Sequence, residues 1–255
     1  MKGIDDMILS LFFYPIKLIE KDAINNKINK KIIYNQNSRK VLFVLPQWMG
    51  KWIFYKMLIK RLRDKYTLVV YQLPYRLLNE NPLEVVNYFN EAKKDILETV
   101  NLLENQGYKE FSIFGTSLST SLALMVANSD NRFKKVIIGL SGSHLSKSFW
   151  DSNQLLVKNI KDKMCAKGVN LTKLMKYWKI LEPVNNIKNL KGKKLFIYLA
   201  KNDKISPYKY GTKLLDKINK EKINFDLYID NFFGHYISGF KQLLFPKRII
   251  KFLEN

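Results

Sequence analysis

The chain has 255 residues, 47% of them apolar, and a single cysteine, Cys165. That composition supports one substantial buried core, argues against disorder, and excludes an intrachain disulfide. The formal charge is +22, from 44 basic and 22 acidic residues, but only six of the basic residues are arginine and the lysines are spread along the chain; the pattern reads as a solvated basic surface, and no nucleic-acid partner is expected.

One cysteine and two histidines are too few for a structural zinc site, and no cofactor or metal is expected. The lone cysteine suits a reducing compartment, so the expected location is cytoplasmic. Weak association with an anionic membrane surface stays open as the minor reading of the charge. Oligomeric state is not legible.

In chain order, the apolar run from Met7 to Ile16 is too short for a bilayer, which needs about 20 residues. It follows Asp5 and Asp6 rather than a basic cluster and lacks a small-residue cleavage site, so a signal peptide is not expected. Residues 1–40 read as an N-terminal arm, its apolar run an amphipathic helix packed on the domain; residues 41–255 read as the domain itself.

Within that domain, Val41 to Pro46 is a continuous apolar run, the pattern of a parallel strand covered on both faces. Trp52, Tyr55, Leu58, Ile59 and Leu62 then recur at helical spacing between Lys51 and Lys65. Thr67 to Leu73 is a second strand. A long helix follows from Asn81-Pro82 to Gly107, with asparagine as cap and proline in the first turn. Phe111 to Thr116 is a third strand and runs directly into a small-residue helix. Lys134–Gly142, Lys193–Ala200 and Ile223–Asp230 complete six strands, with helices at Tyr208–Asn219 and Gln242–Leu253.

This alternation predicts an α/β fold with an open, mostly parallel sheet and helices on both faces. Between the fourth and fifth strands, residues 144–190 lack a strand pattern. A structureless loop of that length is unusual, so a helical lid insertion is expected there. Cys165 falls in it and reads as a space-filling residue.

Chemistry is concentrated at Gly115-Thr116-Ser117-Leu118-Ser119, at a strand-to-helix junction. A serine in such a turn projects its hydroxyl from the sheet edge, and the small residues at either side let the backbone pass closely. The Leu118 amide, at the start of the helix, can point at a developing oxyanion. The segment resembles the nucleophile elbow, G-x-S-x-G, of the α/β-hydrolase fold serine hydrolases (esterases, lipases, thioesterases), with Ser119 in place of the last glycine.

The resemblance implies a base after the last strand and an acid after the penultimate one. His235, in DNFFGHYISG, occupies the first position, and Asp203, in LAKNDKISP, the second. Asp230 is a rival for the acid because it lies close to His235 in sequence. The order Ser117, Asp203, His235 is that of the resembled family. A second oxyanion donor is expected from the loop Pro46-Gln47-Trp48-Met49-Gly50, where the family often carries His-Gly; Gln47 and Trp48 both stay open. Trp48, Met49 and Trp52 are candidates for lining an acyl pocket, and His144 for touching substrate at its rim.

The activity this implies is cleavage of a small-molecule carboxylic ester or thioester through an acyl-serine. An acyltransferase using the same three residues, and a non-catalytic binding protein keeping the fold, are the alternatives.

Overall fold

The computed structural model describes residues 28–48, 50 and 55–255. The apolar run at residues 7–16, Met49 and Trp52 lie outside them. Among the described residues, seven strands form one sheet: β1 (Asn29–Ile33), β2 (Lys40–Leu45), β3 (Thr67–Gln72), β4 (Glu110–Thr116), β5 (Phe133–Gly139), β6 (Lys194–Ala200) and β7 (Phe225–Asp230). Their spatial order is β1-β3-β2-β4-β5-β6-β7. Every pairing from β3 to β7 is parallel, and β1 alone runs antiparallel, against β3.

The central strands are buried on both faces, which is why they read as unbroken apolar runs. Val41, Phe43 and Leu45 of β2 face one core and Leu42 and Val44 the other; β6 divides the same way between Leu195, Ile197, Leu199 and Phe196, Tyr198, Ala200. The smaller core is closed by α1 (Lys56–Leu62) and by Ile249, Phe252 and Leu253 near the C-terminus. The larger one is closed by α2 (Pro82–Asn105), α3 (Ser119–Ser129) and α7 (Tyr208–Lys220). Asn81 caps α2 as its sequence predicts, its side chain accepting from the Leu83 and Glu84 amides. Helix α3 is buried from Ser119 to Ala127, so its small side chains are what let it lie against the sheet.

Three features depart from the expectations. Strand β1 lies inside what the sequence marks as an arm. It is an edge strand whose Asn29, Lys30 and Lys31 are exposed, so it has no apolar alternation to read. The C-terminal helix is two helices, α8 (His235–Leu244) and α9 (Lys247–Glu254), separated at Phe245-Pro246, because proline has no amide hydrogen for a continuing helix. His235 is therefore the first residue of a helix. Cys165 is exposed and fills no core space.

Between β5 and β6 the chain forms α4 (Leu145–Trp150), α5 (Leu155–Ala166) and α6 (Leu171–Tyr177), then three short 3-10 turns up to Leu190. Trp178 anchors this segment. It is fully buried, donates through Nε1 to the Pro82 carbonyl at 3.1 Å, and meets the Phe149 ring edge-on at 5.1 Å. Among the described residues, no helix is long and apolar enough to cross a membrane.

Candidate active site

Strand β4 ends at Thr116, and Ser117 takes a left-handed backbone conformation with φ of +56° before α3 begins. A non-glycine residue there carries strain and persists only where its surroundings over-determine it. The Ser117 amide donates to the Gly139 carbonyl on β5 at 2.7 Å, and its carbonyl accepts from the Thr120 amide at 3.0 Å. Glycine is required two residues earlier. A Cβ on Gly115 would lie 2.6 Å from the Ser119 carbonyl oxygen and 2.7 Å from the Ala123 Cβ. Ser119, two residues after Ser117, is fully buried, and its hydroxyl donates to the Pro46 carbonyl.

The parallel sheet brings the ends of β4, β6 and β7 to one edge, and the three sequence-predicted residues meet there. His235 Nε2 is 2.9 Å from Ser117 Oγ, and His235 Nδ1 is 2.7 Å from Asp203 Oδ2. Asp203 and His235 are both buried, whereas Ser117 is half-buried. The other Asp203 oxygen accepts from the Ile205 and Ser206 amides at 2.9 and 2.8 Å, which fixes the carboxylate in plane. A carboxylate only accepts, so it takes the Nδ1 hydrogen and leaves the Nε2 lone pair facing the Ser117 hydroxyl. An imidazole so placed can draw off the serine proton as the oxygen attacks a carbonyl.

Asp230 is elsewhere engaged. One of its oxygens accepts from the Phe232 and Phe233 amides, both at 3.0 Å, and the other meets Lys241 Nζ at 3.0 Å. It organises the turn between β7 and α8 and leaves His235 to Asp203.

The loop after β2 separates the two oxyanion candidates. The Gln47 amide donates to the Tyr55 hydroxyl at 3.1 Å, and the Gln47 carbonyl accepts from the Gly50 amide at 2.7 Å. The Trp48 and Leu118 amides have no hydrogen-bond partner among the described residues. The Trp48 indole donates to the Tyr75 carbonyl at 2.8 Å and stacks on the Tyr75 ring at 5.9 Å. Tyr55 escaped notice in the sequence because its helical spacing marks it only as core.

Ser117, Leu118 and His235 open into a cleft of about 670 Å³ that includes space open to solvent. Its walls are Trp48, Leu78, Leu145, Phe149 and Val157, with Gln47 at the loop side. No Asp, Glu, Lys or Arg is among the described residues that line it. His144 is not among the lining residues either. It is half-buried, its Nδ1 is 2.7 Å from the Ser143 hydroxyl, and burial with the ammonium groups of Lys147 and Lys213 holds its pKa below the usual imidazole value. The insertion residues Leu145, Phe149 and Val157 carried no sequence signal beyond weak helical spacing. Among the described residues, no group of three or more His, Cys, Asp or Glu side chains could hold a metal ion.

The family model described as the prolyl oligopeptidase family matches residues 88–255. Among solved structures, the chain is similar to an acylaminoacyl peptidase from Pyrococcus horikoshii, with a TM-score of 0.64 and 17% identity over 87% of this chain and 38% of the peptidase. It is also similar to an acetyl xylan esterase from Paenibacillus sp. R4, with a TM-score of 0.65 and 11% identity over 97% of this chain and 94% of the esterase. A lipase-esterase related protein from Clostridium acetobutylicum ATCC 824 gives 0.58 at 17% identity, covering 89% and 98% of the two chains. At these identities the likeness is one of fold, and the chain spans well under half of the peptidase's length. No curated protein sequence matches the chain.

Proposed function

The chain belongs to the prolyl oligopeptidase family of α/β-hydrolase-fold serine hydrolases, and from that premise we propose that it cleaves a carboxylic ester or thioester through an acyl-serine intermediate on Ser117. The observation that carries the reading is the continuous run of hydrogen bonds from Asp203 through His235 to Ser117 at the head of a cleft whose described lining holds no Asp, Glu, Lys or Arg.

In this reading Ser117 Oγ attacks the substrate carbonyl while His235 Nε2 takes its proton. Asp203 holds the imidazole in the required tautomer and stabilises it once it is charged. The oxyanion accepts from the Leu118 and Trp48 amides. Trp48 is preferred to Gln47 because the Gln47 amide is already spent on Tyr55. Collapse of the tetrahedral intermediate expels the alcohol or thiol, which leaves with the proton from His235. Water then repeats the sequence on the acyl-serine, losing its proton to His235 and releasing the acid.

Turnover of a graded series of p-nitrophenyl esters tests this, with loss of activity expected in Ser117→Ala. The family match favours a second reading, cleavage of a peptide bond, in which His235 protonates a leaving amine. Comparing an ester and an amide of the same acyl group separates the two. The helices between β5 and β6 supply walls of the cleft, which supports their role as a lid. A cytoplasmic location fits the lone cysteine. The charge of +22 supports weak association with anionic membranes, and salt-sensitive sedimentation with phosphatidylglycerol vesicles tests it.

A further inference from the structure

The pattern G-x-S-x-G ends on a glycine that has no side chain to use; here that position is Ser119, and its hydroxyl has a task. Ser119 Oγ, fully buried, donates to the carbonyl of Pro46, and no other described donor reaches that carbonyl. The bond spans 73 residues of sequence and links the first turn of α3 to the loop after β2.

The consequences follow from planar peptides. The Pro46 carbonyl and the Gln47 amide belong to one peptide group. Ser119 holds its oxygen, and the Tyr55 hydroxyl, 3.1 Å from the Gln47 nitrogen, holds its hydrogen. The next peptide group contains the Gln47 carbonyl and the Trp48 amide. Its oxygen is held by the Gly50 amide at 2.7 Å, and in a trans peptide the Trp48 N–H points the opposite way. Two successive peptide planes are thus pinned at three of their four polar atoms, and the fourth, the Trp48 hydrogen, has no partner among the described residues. Leu118, whose amide likewise has no partner among the described residues, immediately precedes Ser119.

We propose that Ser119 is a positioning residue, a strut that fixes the Trp48 amide opposite the Leu118 amide so that both reach one oxyanion. It rests on the catalytic reading above. Because it acts on the donor for a charge that exists only in the transition state, its loss acts on kcat and leaves ground-state binding alone.

The test compares the parent protein with Ser119→Ala, Ser119→Gly and Tyr55→Phe on p-nitrophenyl butyrate, together with inhibition by phenylboronic acid, which forms a tetrahedral adduct on a serine. Ser119→Gly restores the family pattern, so it keeps a variant in hand should Ser119→Ala fold poorly. The expected result is a kcat lower by about 10- to 100-fold with KM changed less than about threefold, and boronate affinity reduced in step with kcat. Tyr55→Phe shifts the same quantities in the same direction, and combined with Ser119→Ala it costs less than the product of the two. Unchanged kcat and boronate affinity in folded Ser119→Gly would overturn the strut. So would a loss confined to KM. Failure of the catalytic reading looks different: parental turnover would then be absent or would survive Ser117→Ala.

Discussion

Asp203 and His235 stand 32 residues apart in the chain and 2.7 Å apart in the fold, Oδ2 to Nδ1, while Asp230, only five positions before the histidine, bonds the Phe232 and Phe233 amides and Lys241 instead. Proximity in sequence is the wrong guide here, because the turn after β7 consumes Asp230. Asp203→Asn should lower kcat/KM by about 10³- to 10⁴-fold with the fold intact, since the amide favours the wrong imidazole tautomer. Asp230→Asn should change kcat/KM by less than about threefold and instead cost about 1–3 kcal/mol of stability through weakened turn contacts. Paired kinetics and denaturant melts on the two variants check this.

Much of this arrangement is legible in the sequence, and the reason is burial. Strands β2 to β7 read as apolar runs because most of them are covered on both faces, and the ordered Ser117, Asp203 and His235 then fall at the ends of β4, β6 and just beyond β7. Strand β1 is not legible because an edge strand with Lys30 and Lys31 exposed has no pattern to show. The choice between Gln47 and Trp48 is closed to sequence reasoning for another reason. The proposed preference for Trp48 rests on the Gln47 amide donating to the Tyr55 hydroxyl, a contact made through space.

Gly115→Ala tests the close packing beneath the elbow. The added Cβ meets backbone and a neighbouring Cβ inside 3 Å, and neither is a flexible side-chain end. A stability loss of about 1–3 kcal/mol is expected, with a fall in kcat as Ser117 shifts. Urea unfolding followed by circular dichroism measures the first.

Glu182 makes folding stability depend on pH. Its carboxyl is buried between the 3-10 turns of the insertion and bonds the Ser146 hydroxyl of α4. Burial pushes its pKa above the usual carboxylate value, against the opposing pull of Ser146, the Leu145 and Ser146 amides and Lys147. The folded state then holds the proton more tightly than the unfolded state. The contribution is present at low pH and is lost as pH rises from the ordinary carboxylate value through the raised one. Relative to Glu182→Gln, which cannot ionise, the parent Tm should fall as pH rises through and above the ordinary carboxylate range. A constant Tm difference across that range would contradict it.

The absence of charged side chains among the described cleft residues predicts selection for neutral acyl groups. Burying a carboxylate without a partner is costly. A butyryl ester should be turned over at least about tenfold faster, in kcat/KM, than an ester whose acyl group ends in a carboxylate. Parallel rates with the two acyl groups at one leaving group check this.

The central claim is that Ser117 is the nucleophile activated by His235, and covalent labelling reads it without knowledge of the substrate. Folded protein treated with a fluorophosphonate should gain one adduct, mapped by peptide mass spectrometry to Ser117. Labelling should be abolished in Ser117→Ala and slowed at least about 10³-fold in His235→Ala. Folded parent protein that stays unlabelled, or an adduct on another residue that persists in Ser117→Ala, would contradict the account.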